Sequence, residues 1–114
     1  MKYMLQIYGN DTREEFQARP EAEQKELYAA WGAINQTPGV TPGAEMDAPA
    51  TATTVRVQDG ETLITDGPFV DVKEALGGIF YLEADNLDAA IELASRIPTA
   101  RMGGAIEIRP LVQR

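Results

Sequence analysis

Along Lys2–Tyr8 apolar and polar positions alternate, with Tyr3, Leu5 and Ile7 on one side and Met4, Gln6 and Tyr8 on the other. That period of two predicts a strand, halted by Gly9-Asn10-Asp11. Pro20 suits the first turn of a helix, and beyond it Leu27, Ala30, Trp31 and Ile34 recur at i, i+3, i+4 and i+7. This spacing places one buried stripe on a helix that Pro38-Gly39 ends. From Pro38 to Thr53 three prolines and two glycines accompany no clear period, so the stretch reads as a long connection. Thr54–Gln58 alternates again, Asp59-Gly60 is a two-residue hairpin signal, and Thr62–Thr65 returns as a short strand. Gly78–Ala84 is the clearest strand of the chain. Asp85 or Asn86 then caps a helix with Leu87, Ala90, Ile91, Ala94 and Ile97 as its apolar face. Pro98 ends that helix, and Ala105–Arg109 alternates as the last strand.

The order β, α, β-hairpin, β, α, β points to a single α+β domain over residues 1–114. Its antiparallel sheet carries two helices on one face, and a ferredoxin-like layout is the simplest closure. The alternations assign Leu5, Ile7, Val55, Val57, Phe80, Leu82, Ile106 and Ile108 to the helix side. They assign Met4, Gln6, Tyr8, Arg56, Ile79, Tyr81, Glu83, Glu107 and Arg109 to the other. That second face mixes aromatic and aliphatic groups with four charges, which fits neither a sealed core nor a plainly solvated surface. It reads as a half-wet face, a homodimer contact formed by stacking two such faces, or a ligand cavity at that contact.

Composition narrows the chemistry. In 114 residues, 44% hydrophobic and 25% charged, there is room for one modest core, which dimerisation would help to cover. The chain has no cysteine and no histidine, removing disulfides, thiolate catalysis, imidazole proton transfer and the commonest metal ligand. A net charge of −8 repels phosphate backbones and anionic lipid, arguing against direct nucleic-acid binding. There is no cationic and apolar leader pattern and no membrane-length apolar run, so a soluble, cytoplasmic protein is expected.

The chemistry-bearing residues concentrate between the hairpin and the Gly78 strand. Asp66-Gly67-Pro68-Phe69 explains itself as a turn, with Phe69 free to anchor the loop in the core. The same rigid turn could present Asp66 beside the sheet end, where partial burial would suit it to act as a base. Lys73-Glu74 reads as a solvated turn, or as an ammonium that holds an anionic group beside a second carboxylate. Asp71 is most simply a solvent-facing acid. Gly77-Gly78 marks a bulge or a close backbone approach. Tyr8 and Tyr81 fit sheet-face packing. Arg101-Met102-Gly103-Gly104 fits either a helix-to-strand turn or an anion cradle. Trp31 belongs to the core. No D-x-D-x-D-G loop supports a metal site, and no cofactor is called for.

An ordered set of motifs runs through nearly the whole chain: Lys2-Tyr3-Met4-Leu5-Gln6-Ile7-Tyr8-Gly9, Thr51-Ala52-Thr53-Thr54-Val55-Arg56, Asp59-Gly60-Glu61-Thr62 and Thr65-Asp66-Gly67-Pro68-Phe69. Lys73-Glu74, Leu76-Gly77-Gly78, Asn86-Leu87-Asp88-Ala89-Ala90, Arg96-Ile97-Pro98 and Glu107-Ile108-Arg109-Pro110 follow. Together they resemble the DGPF branch of the YCII-related (YciI-like) proteins. Asp11–Arg19 and Pro42–Pro49 stand apart. The resemblance implies a ferredoxin-like fold of the dimeric α+β barrel type, with a pocket near the sheet and the dimer contact. It also implies kinship with proteins resembling muconolactone isomerases and small dehalogenating enzymes. Many YciI-like relatives are proposed to use a His-Asp pair; Asp66 matches the Asp, and nothing here supplies the His.

Two functions are expected on these grounds. The first is a homodimeric domain binding a small anionic or hydroxy-aromatic metabolite, with lyase- or isomerase-like activity. Asp66 would be its base and Glu74 a second carboxylate, with Arg56, Lys73, Tyr8, Tyr81 and Arg101 contacting substrate. The alternative is a non-catalytic dimeric module acting with a sigma-factor-like regulatory protein.

Overall fold

The computed structural model describes residues 1–9, 13–70 and 75–114. Among them the elements run β1 (Lys2–Gly9), α1 (Arg13–Gln17), α2 (Glu21–Asn35), β2 (Val40–Glu45), β3 (Thr53–Gln58) and β4 (Glu61–Asp66). They continue with β5 (Ala75–Glu83), α3 (Leu87–Ser95) and β6 (Ala105–Pro110). Four strands form one sheet in the order β2-β5-β1-β6, antiparallel at every junction. β3 and β4 pair with each other in a separate two-stranded ribbon. The fold is α+β with an antiparallel sheet, as expected.

The alternation in β1 decides which way the sheet faces. Tyr3, Leu5 and Ile7 are buried together with Phe80 and Leu82 of β5. Ile34 from α2 and Ala90, Leu93 and Ala94 from α3 close over them with Ile97, while Trp31, Ile106 and Ile108 pack at the margin. Both long helices therefore lie on one side of the sheet, and fully burying each large side chain there contributes about 1.5–3 kcal/mol.

Local chemistry ends the elements where it should. The Asn86 side chain accepts a 2.9 Å hydrogen bond from the Ala89 amide and caps α3, satisfying one of the free donors of the first turn. Pro20 occupies the N-cap position of α2, and a 3-10 turn begins at Pro98. α3 buries Ala90, Leu93 and Ala94, with Ile97 just beyond its end; Ala90, Ala94 and Ile97 were expected there, and Leu93 was not. Leu87 and Ile91 are exposed, because at 100° per residue they lie round the helix from Leu93.

The structure departs from the sequence reading in three further places. The Pro38–Thr53 stretch is not structureless: Val40–Glu45 forms edge strand β2 against β5. Pro42 is tolerated there because an edge strand has one unpaired side. The five-residue α1 has no counterpart in the expectations; Phe16 joins it to α2 edge-to-face on Tyr28, with ring centroids 5.2 Å apart. Val55 and Val57 do not meet the helices. They are 59% and 67% exposed, because the hairpin that carries them stands outside the main sheet. Arg56 leaves the main sheet for the same reason.

The molecule is flat and extended, 49 × 43 × 19 Å, with a Cα radius of gyration of 16.3 Å, where a compact chain of this length has about 13 Å. Its accessible surface is 8193 Å², against about 6,100 Å² for a folded monomer of this mass.

Candidate functional site

The side of the sheet away from the helices carries the residues expected there, apart from Arg56. Strand register arranges them in rows. Arg109, Met4, Tyr81 and Thr41 face one another across β6, β1, β5 and β2, and the next row holds Glu107, Gln6, Ile79 and Ala44. Lys2 pairs with Glu83 at one end, and Tyr8 lies beyond Gln6 toward the other. Tyr81 is 40% exposed; Met4, Gln6, Tyr8 and Ile79 are half-buried. Arg109 donates to Glu107 at 3.0 Å along the rim. Among the described residues no helix covers this face, so an apolar centre meets solvent between flanking charges.

Beside it, an open hollow of about 500 Å³ is lined by Lys2, Gly39, Val40, Thr41, Tyr81, Leu82, Glu83 and Leu111. Gly39 shapes its wall. At φ +92, with the Glu83 carbonyl lying where a Cβ would stand, this position admits no side chain without strain. Lys2 offers an ammonium, Glu83 a carboxylate, Thr41 a hydroxyl and Tyr81 a ring face with a phenol tip. A small planar acid that also bears a hydroxyl would use all four, its hydroxyl donating to Glu83 and its carboxylate facing Lys2. A second open hollow of about 600 Å³ lies between α2 and the Pro98–Arg101 turn, lined by Arg19, Glu23, Glu26, Leu27, Ala30, Arg101 and Met102. Arg19 and Glu23 pair at 2.8 Å on its wall.

The residues singled out in the sequence do not converge within the chain. Tyr81 lines the first hollow. Tyr8 sits on the same face, four residues along β1 from the Met4 that pairs with Tyr81, which is about 13 Å at strand rise. Arg101 lines the other hollow, on the helix side. Asp66 ends β4 opposite Thr53 and is exposed, not half-buried beside the main sheet. Arg56 lies on the other side of the same ribbon, its guanidinium 4.6 Å from the Phe69 ring centroid. Phe69 is 67% exposed and does not anchor the loop in the core. Asp71, Lys73 and Glu74 lie outside the described residues.

The turn readings hold. Gly67 takes φ +100 and donates to the Ala52 carbonyl at 2.7 Å. The register of β1 on β5 jumps from Ile7–Gly78 to Tyr8–Leu76, leaving Gly77 as the extra residue of a bulge. Gly103, at φ +86, completes the turn after Arg101. Sequence reasoning missed Lys2, Thr41 and Gly39 at the hollow. Lys2 shared the alternation of Met4 and could have been placed by it, whereas Thr41 needed β2 to be recognised as a strand.

No group of three or more His, Cys, Asp or Glu side chains able to hold a metal occurs among the described residues. Nor does any helix there have the length and apolarity to cross a membrane.

An antiparallel α+β domain with one helix-covered and one bare sheet face is the class these features define. Within it, the chain belongs to the YCII-related domain family, whose model matches residues 1–113. It is 29% identical over 114 residues, covering 97% of this chain and 92% of the other, to "Uncharacterized protein R00369" of Rhizobium meliloti (strain 1021).

Proposed function

We propose that this YCII-related protein is a homodimeric small-molecule-binding domain, in which two copies meet through their bare sheet faces. Its ligand, a small anionic or hydroxy-aromatic acid, occupies the hollow at Lys2, Thr41, Tyr81 and Glu83. The observation that carries this reading is the uncovered row Met4–Tyr81 and Gln6–Ile79, since apolar centres of this kind mark interaction sites. The strand order β2-β5-β1-β6, with a helical segment crossing between β1 and β2 and another between β5 and β6, supports a ferredoxin-like layout. The tetrapeptide Asp66–Phe69 supports the DGPF branch. Lyase- or isomerase-like chemistry with Asp66 as base requires a second subunit, since Asp66 stands on the outlying ribbon. The scatter of the other candidate residues favours the second reading, a non-catalytic dimeric module working with a regulatory protein.

A thermal-shift screen of small carboxylic and hydroxy-aromatic acids separates the two. A true ligand at 100 times its dissociation constant adds about 2.7 kcal/mol to stability. That gain should disappear in Tyr81→Ala and persist in Arg101→Ala. Loss in Asp66→Ala would bring Asp66 into the site. No stabilisation of the wild type by any acid sinks the binding reading and leaves the module.

A further inference from the structure

We propose that the β3–β4 hairpin is an arm that clasps a second copy of the chain. The inference rests on the dimeric reading above and names the segment that completes it. Eleven of the twelve strand residues in this ribbon are exposed, Thr54 alone being half-buried. One side of it, set by the pairing of Val55 with Ile64, carries Val55, Val57 and Ile64 at 59%, 67% and 68% exposure. Phe69 and Val70, just beyond its base, are exposed too, Phe69 lying under Arg56 on the opposite side.

A two-stranded hairpin is marginally stable by itself in water. This one is nevertheless built to hold its shape. Asp59 and Gly60 both adopt positive φ, 51° and 79°, the geometry of the tight turns that match strand twist. Thr54 Oγ1 donates to the Gly67 carbonyl at 2.7 Å and locks the root. A rigid ribbon with an aliphatic side facing water is the form of an interaction element, and its bare edges would otherwise invite unspecific strand pairing.

The occupant is chosen by area. The chain exposes about 2,000 Å² more than a compact monomer of its mass. Two copies burying that excess would bury about 4,000 Å², within the range of obligate homodimers. The same chain also supplies the surface to be gripped: where two sheet faces stack, with half-buried Met4 and Ile79 and exposed Tyr81 at their centre, each arm reaches past the stacked faces to the flank of the other copy. In a two-fold dimer both arms make the same contact, so no second protein is required.

The test uses the 114-residue chain, whose lack of cysteine allows a clean single-thiol probe. Sedimentation across a wide concentration range should show a wild-type dimer. Val57→Lys combined with Ile64→Lys should raise its dissociation constant at least about 100-fold, while far-UV circular dichroism stays unchanged. In Val57→Cys the thiol should react slowly with a disulfide reagent at high protein concentration and freely after dilution below the dissociation constant. A wild type that is monomeric at every concentration overturns both the dimeric reading and the arm. A wild-type dimer untouched by the double lysine variant, with a thiol equally reactive at all concentrations, overturns the arm alone.

Discussion

Single residues decide where the backbone can go. Gly43 is the extra residue of the β2 irregularity between Pro42 and Ala44, and a Cβ there would run into the Ile79 carbonyl oxygen. Because the obstacle is backbone, it cannot swing aside as a side chain would. Gly43→Ala should lower unfolding free energy by about 2 kcal/mol, as packing and backbone clashes do, seen as an earlier urea midpoint. Asn86 acts through one hydrogen bond at the α3 N-terminus. Asn86→Ala should lose about 1 kcal/mol while Asn86→Asp retains most of the stability, a pair that separates loss of the cap from loss of side-chain bulk. A cap at Asp85 or Asn86 was legible from their place before an apolar-periodic run, and the structure settles on Asn86. The burden on Gly43 was not, since it depends on a strand distant in sequence.

Elements show which faces are buried, and α3 is the informative case. Five apolar positions were readable, but a nine-residue helix rich in leucine, isoleucine and alanine supports more than one stripe. Packing selected Leu93, which is buried, over Leu87 and Ile91. Leu93→Ala should therefore cost about 3 kcal/mol through lost burial and the cavity left behind. Ile91→Ala should cost about 0.5 kcal/mol or less; equal effects of the two in chemical denaturation would refute the assigned face. Strand β2 eluded the pattern because Pro42 and Gly43 erase the alternation in Val40–Glu45, and an edge strand buried on neither side has little alternation to keep. The hairpin β3–β4 was legible as a hairpin from Asp59-Gly60, while its place in the molecule was not.

At the scale of the whole molecule, charge and surface oppose each other. In the proposed dimer two copies each carrying −8 would repel, and the apolar sheet face and arm would have to overcome that repulsion. Added salt screens like charges beyond about 8–10 Å at physiological ionic strength. The proposed dimer should therefore tighten between low salt and about 0.3 M sodium chloride, the opposite of an interface held by ion pairs. Sedimentation equilibrium at the two ionic strengths checks the sign, and weakening with salt would contradict an apolar contact.

What the amino-acid sequence determined by itself is what depends on neighbours along the chain. This covers the alternation that turns Tyr3, Leu5 and Ile7 to the core, the Asp59-Gly60 turn, a helix cap at Asp85 or Asn86 and the absence of any thiol or imidazole. Tertiary structure alone decided which strands share a sheet. Val55 and Val57 have the period of a core strand, and nothing local distinguishes a strand paired in the main sheet from one in an outlying ribbon. That choice is made by contacts with residues far away in sequence, and through it Arg56 and Asp66 stand apart from Tyr81 while Lys2 and Thr41 stand beside it.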